Sequence, residues 1–142
     1  MGRRWVVIAP LAALLASACA QAAPEEELHL AEPAHVEPIE GTELARVTLT
    51  ERAAERIRLR TAPVEAGGRG LVVPAAALIV DTDGRFWVYT SPEPLTFVRH
   101  EVELRRIDGD RALAADGPPV GTPVVTVGAQ ELWGAETGVG GH

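Results

Sequence analysis

"VVPAAALIVDTDGRFWVYT", Val72 to Thr90, decides the fold class. It reads as a strand, a tight turn at Asp83-Gly84, and a second strand carrying Phe86, Trp87 and Tyr89. Asp-Gly is a preferred pair for a two-residue hairpin turn of type I′. That register sets Val80 opposite Trp87 and Leu78 opposite Tyr89, aliphatic–aromatic pairs that each contribute roughly 0.2–1 kcal/mol. Pro74 interrupts the first strand and predicts an edge or a bulge there, because proline has no N–H to give a ladder. Neighbours in a strand point opposite ways, so one of Phe86 and Trp87 must face inward. Core packing is the expected fate of most of these aromatics.

Downstream, "LTFVRHEVELRRI" (residues 95–107) alternates, with Val98, His100, Val102 and Leu104 on one face and Arg99, Glu101 and Glu103 on the other. His100 on that apolar face reads as a packed, hydrogen-bonded histidine. "SPEP" (91–94) reads as a loop, Asp108-Gly109 as a turn into "DRALAA", and "DGPPVGT" as a loop rich in turn formers. "PVVTV" is a last short strand, "GAQELWG" a terminal helical turn, and residues 134–142 a flexible tail. Upstream, residues 44–67 read as strand, helix, strand: "RVTLT", then "ERAAERI" with Thr50 as N-cap, then "RLRTAPV". Gly67, Gly68 and Gly70 mark a break, and residues 68–133 form the β-rich unit. The expectation is a mainly β fold with short helices, a small antiparallel β-barrel or sandwich of six or seven short strands.

Residues 19–43 are rich in Pro and Glu with few large apolar side chains, so they read as a disordered acidic tether. His29 and His35 lie in it at irregular spacing and read as solvated linker histidines. Residues 1–18 read as a signal segment. Arg3 and Arg4 precede an apolar stretch, "WVVIAPLAALLASA" (5–18), that is too short to span a bilayer. The single cysteine, Cys19, closes "LLASAC". This resembles the bacterial lipoprotein pattern, with Ala where Leu is commoner, and implies a lipid on Cys19. Cleavage after Ala22 is the other reading and would discard Cys19. Both readings send the chain to the cell envelope, in the periplasm, without a disulfide.

All 13 basic residues are arginine, against 20 acids. Without Arg3 and Arg4 the formal charge falls from −7 to −9, which argues against a nucleic-acid surface. No Gly-x-Ser-x-Gly, His-Glu-x-x-His or phosphate loop is present, so no enzyme chemistry and no cofactor are expected. Asp81 and Asp83 flank a turn, where Asp is common for local reasons. His29, His35, His100 and His142 supply nitrogen donors for a metal-handling role, but there is no Cys pair and the one Met is the initiator.

The stretch from Leu71 to Leu132 resembles the membrane-proximal domain of periplasmic adaptor subunits, the membrane fusion proteins of resistance-nodulation-division efflux pumps, most like their heavy-metal branch. The matching positions are Val73-Pro74, Ala77-Leu78, Gly84, Phe86 to Tyr89, Val102 to Leu104, Gly109-Asp110, Gly117, Gly121, Val124-Val125, Gly128-Ala129 and Leu132. "VTLTERAAERIRLRTAPVE" resembles the segment that opens the body of these adaptors, with Arg58 where the family often has Gly. Only Gly67 to Gly70 stand where the lipoyl-like module and the long helical hairpin would come. The resemblance implies a truncated, membrane-tethered accessory subunit that docks on a pump's inner-membrane subunit or on a full-length adaptor, with homo-oligomers as a further option. Phe86, Trp87 and Tyr89 are the candidate docking aromatics, with Arg99 and Arg105 as rim charges. An exported metal-binding protein is the alternative.

Overall fold

The computed structural model describes residue 2 and residues 32–138. The expected signal segment apart from residue 2, and Cys19, His29 and His142, lie outside the described residues. In chain order, β1 (Ala34–Pro38) and β2 (Ala45–Leu49) form a hairpin, followed by α1 (Glu51–Arg56). β3 (Arg60–Pro63) and β4 (Glu65–Ala66) are one nearly continuous strand through Val64. Then come β5 (Leu71–Pro74), a 3-10 turn at Ala75–Ala77, β6 (Ile79–Val80), β7 (Phe86–Glu93) and β8 (Thr96–Asp108). β9 (Arg111–Asp116), β10 (Pro123–Val127) and α2 (Ala129–Thr137) complete the order. The protein is mainly β with few short helices, as the density of turn residues predicts.

The strands close on themselves. From β7 the antiparallel ladder runs through β8, β9 and β5 to β4, and in the other direction through β10 to β3. Because β3 continues into β4, the two ends of this path meet and the sheet is a nearly closed barrel. Val64 sits at the junction. Its N–H donates to the Thr122 carbonyl, and its own carbonyl accepts from Gly121 N–H. The junction therefore keeps its backbone groups paired while the strand changes partners.

Two apolar cores lie on opposite sides of one wall, β10–β7–β8. The barrel interior holds Val64, Val73, Ala77, Val88, Val102, Ala112, Ala114 and Val124, small side chains that suit a narrow ring. The outer core holds Trp87, Tyr89, Phe97, Val125 and Ile79 under a cover made by β1, β2, α1 and α2. Along β7 the side chains alternate, with Phe86 and Val88 toward the barrel and Trp87 and Tyr89 toward the outer core. Each large side chain buried this way stabilises the fold by roughly 1.5–3 kcal/mol. A wall buried on both faces explains why "FWVY" is apolar without a break.

The structure corrects several expectations. The β6–β7 register is shifted by one residue, so Ile79 pairs with Trp87 and Val80 with Phe86. The loop has three residues, Thr82 to Gly84. Asp81 and Arg85 close it through Asp81 N–H to the Arg85 carbonyl at 3.0 Å. Gly84 adopts φ +80° at its end, the left-handed position such loops require. "SPEP" is mostly strand: Ser91 to Glu93 belong to β7, and the turn is Pro94-Leu95, with Leu95 at φ +58°. The expected tether is structured from residue 34 onward, because Ala34 and Val36 of β1 pack against the outer core. The first part of the expected tail is helix, since α2 continues through Gly134 and Ala135 to Thr137. α1 starts at its expected cap, with Thr50 Oγ1 accepting from Ala53 N–H at 3.1 Å.

Candidate functional site

The outer face of β7 carries the densest polar network among the described residues, and each part of it follows from the local chain. The three-residue loop turns the Asp81 carboxylate back over its own hairpin. Oδ1 accepts from the N–H groups of Asp83 and Arg85, both at 2.9 Å. Oδ2 accepts from Arg85 Nε at 3.0 Å and Trp87 Nε1 at 2.9 Å. Arg85 then reaches Glu43, in the β1–β2 turn region, through two bonds of 2.6 and 3.2 Å. Burial pushes the Asp81 carboxyl up, but the hydrogen bonds from Trp87 and from backbone N–H groups outweigh it and hold it below the usual range. The Arg85 hydrogen bond holds Glu43 low as well.

The second half of the network lies deeper. Tyr89 is 0 % exposed and donates its hydroxyl to Glu136 Oε2. Arg99 donates Nε to Glu136 Oε1 at 2.7 Å, with side chains 8 % and 5 % exposed. Arg99 also donates Nη2 to the Glu43 carbonyl at 3.0 Å. Its guanidinium lies over the Trp87 ring, 4.4 Å from the centroid, and 5.1 Å from that of Trp133. Burial pushes the Tyr89 hydroxyl well above its usual range, and the bond to the Glu136 carboxylate adds to it. Among the described residues no buried side-chain polar atom lacks a partner.

This placement revises the candidate set. Trp87, Tyr89 and Arg99 are interior, because positions 87 and 89 of β7 and 97 and 99 of β8 are buried on the side of the outer core. Tyr89 and Arg99 therefore present no surface for docking, and Arg99 is not a rim charge. Phe86 is half-buried against the barrel core, and Arg105 is exposed on the far half of β8. The five candidates do not form one surface. His100 is exposed, not packed. It lies where β8 has left β2, which pairs at Thr96 and Phe97, and has not yet met β9, which pairs from Glu103.

Glu136 is the residue that sequence reasoning missed, hidden in what reads as a tail. Two signals point to it in retrospect. Glu136 stands four residues after Leu132, hence on the same helix face, and a buried arginine needs a counter-charge. Among the described residues no group of three His, Cys, Asp or Glu side chains could hold a metal ion, and no helix is long and apolar enough to cross a membrane. No protein family, curated protein or solved structure matches the chain.

Proposed function

We propose that the protein is a membrane-tethered, adaptor-like accessory subunit of an efflux complex, acting by docking on the pump's inner-membrane subunit or on a full-length adaptor. The observation that carries this reading is the use of the glycines on which the resemblance rests. Gly84, Gly109, Gly121 and Gly128 have φ of +80°, +63°, +90° and +98°. Each stands at a turn or helix start of the barrel, at an angle that L side chains rarely adopt. These four of the five glycines in the pattern, Gly117 being the exception, thus set chain reversals of a small β-barrel, and this supports a reading of the chain as adaptor-like. The polar side chains of the outer face are spent on one another, so docking falls to what is left exposed. Among the described residues the large exposed apolar side chains are Val80, Ile107, Val120 and Val127. Val80 and Ile107 flank the β6–β7 and β8–β9 hairpin ends, beside Phe86 and Arg105.

Site-specific photo-crosslinking in cells tests this. With the crosslinker at Val80 or Ile107 of the full chain, the expected product contains a pump subunit or a full-length adaptor. The same group at Arg52, on exposed α1, is expected to give none. Crosslinks to neither partner, from either position, would sink the proposal.

A further inference from the structure

A second region of the barrel has the opposite electrostatic character. An open groove of about 270 Å³ lies on the barrel wall, with Arg69, Arg105 and Arg106 at its sides and Leu71, Leu113 and Ala114 among its lining. Two consecutive strand residues ordinarily point to opposite faces. Here a β-bulge breaks the β8–β9 ladder: Leu104 pairs with Ala114 and Arg106 with Leu113, leaving Arg105 as the extra residue. The bulge re-aims the chain so that both arginines line one groove, the local effect bulges are known for. Arg69 arrives from the opposite side, in the β4–β5 turn closed by Gly67 N–H and the Gly70 carbonyl at 3.0 Å. Arg105 Nη1 donates to the Arg69 carbonyl at 3.0 Å, which holds its guanidinium beside the groove. A guanidinium has five N–H donors, so that bond leaves the others available.

Among the described residues none of these three arginines has a carboxylate within ion-pair distance; the ion pairs belong to His35, Arg85 and Arg99. Three unpaired arginines in a chain of net charge −7 are a local reversal of sign. The arrangement calls for a compact anion. Guanidinium forks match phosphate oxygens two at a time, and the overall negative charge disfavours a long polyanion such as nucleic acid. The leucines indicate that the anion carries an apolar part, for which inorganic phosphate has no use.

We propose that the Arg69–Arg105–Arg106 groove binds a phosphate ester attached to an apolar group, the chemistry of a phospholipid headgroup. This does not rest on docking to a pump or adaptor. The full chain is titrated with dihexanoyl phosphatidylglycerol below its micelle concentration, and with glycerol 3-phosphate, and binding is read at the amide NMR signals of residues 67–71 and 105–114. Reading those signals excludes binding elsewhere on the chain. The short-chain lipid is expected to saturate these signals and to bind roughly tenfold more tightly than glycerol 3-phosphate. Arg105→Glu with Arg106→Glu should abolish saturation, and Arg106→Gln, which keeps the Arg105 tie, should weaken it about tenfold. Equal affinity for both probes, lost in the variants, would overturn the lipid and assign the groove to soluble phosphates. Saturation by neither probe, or affinity unchanged in folded Arg106→Gln, would overturn the site itself.

Discussion

Tyr89 shows how much one buried side chain can report. It is the single tyrosine of the chain, and its hydroxyl is enclosed against Glu136. Its ionisation is held up in the folded state, above the value near 10 of a free phenol. A raised folded value means that Tyr89 adds stability below pH 10, and that this stability is lost as the pH climbs toward the folded value. Tyrosinate absorbance should therefore stay flat through about pH 10 and rise only with unfolding. The thermal midpoint should fall above that pH in the wild type, and Tyr89→Phe should remove that part of the fall. A normal absorbance titration near pH 10 in the folded protein would contradict the buried bond. That Tyr89 is core was readable from its place in an apolar run; that it needs Glu136 was not, because the partner is 47 residues away and sits past a glycine that reads as a helix end.

The elements separate into those that local chemistry dictates and those that packing decides. α1 is the first kind. Thr50 caps its start, and its end is a Schellman pair: Leu59 N–H donates to the Ala54 carbonyl and Arg58 N–H to that of Glu55, both at 3.0 Å. That motif puts Arg58 at φ +53°. An L side chain is strained there by roughly 1–2 kcal/mol, partly offset in any glycine replacement by glycine's greater loss of chain entropy. Arg58→Gly should therefore stabilise the protein by about 0.5–1 kcal/mol in urea unfolding, and a loss of stability would refute the reading of this helix end. The resemblance had flagged the position; the backbone supplies the reason. The β6–β7 hairpin is the second kind. Asp83-Gly84 promised a turn and delivered one. The register slipped by one residue because Asp81, not Thr82, closes the loop and spends its carboxylate on two backbone N–H groups. Local pair preferences could not reveal that.

At the scale of the whole molecule, the question is what joins the cover to the barrel. The Arg99–Glu136 pair spans the two, with Arg99 on the wall and Glu136 on α2. Removing one member of a buried pair leaves the other charge uncompensated, at a cost of about 3–5 kcal/mol, whereas replacing both with apolar side chains is often near neutral. Glu136→Ala should thus lower stability in urea by about 3–5 kcal/mol. Arg99→Met combined with Glu136→Leu should recover most of that, and a double variant as unstable as the single one would show that the charge pair is not what couples them. The sequence showed the class of fold through its turn residues, but not the ring, since closure depends on β3 and β4 serving two different neighbours from one strand. Closure also bears on how the protein behaves at high concentration. A ring leaves few ladders open for another chain to extend. Among the described strands β1, the two-residue β6, β3 and β4 have a single ladder partner, and β3 and β4 are the two ends of the ring, joined through Val64. β1 carries His35 and Glu37, 3.6 Å apart, and ends at Pro38. Charge and a missing N–H make it a poor template for another strand, so this barrel is built to resist edge-to-edge aggregation where most open sheets are vulnerable.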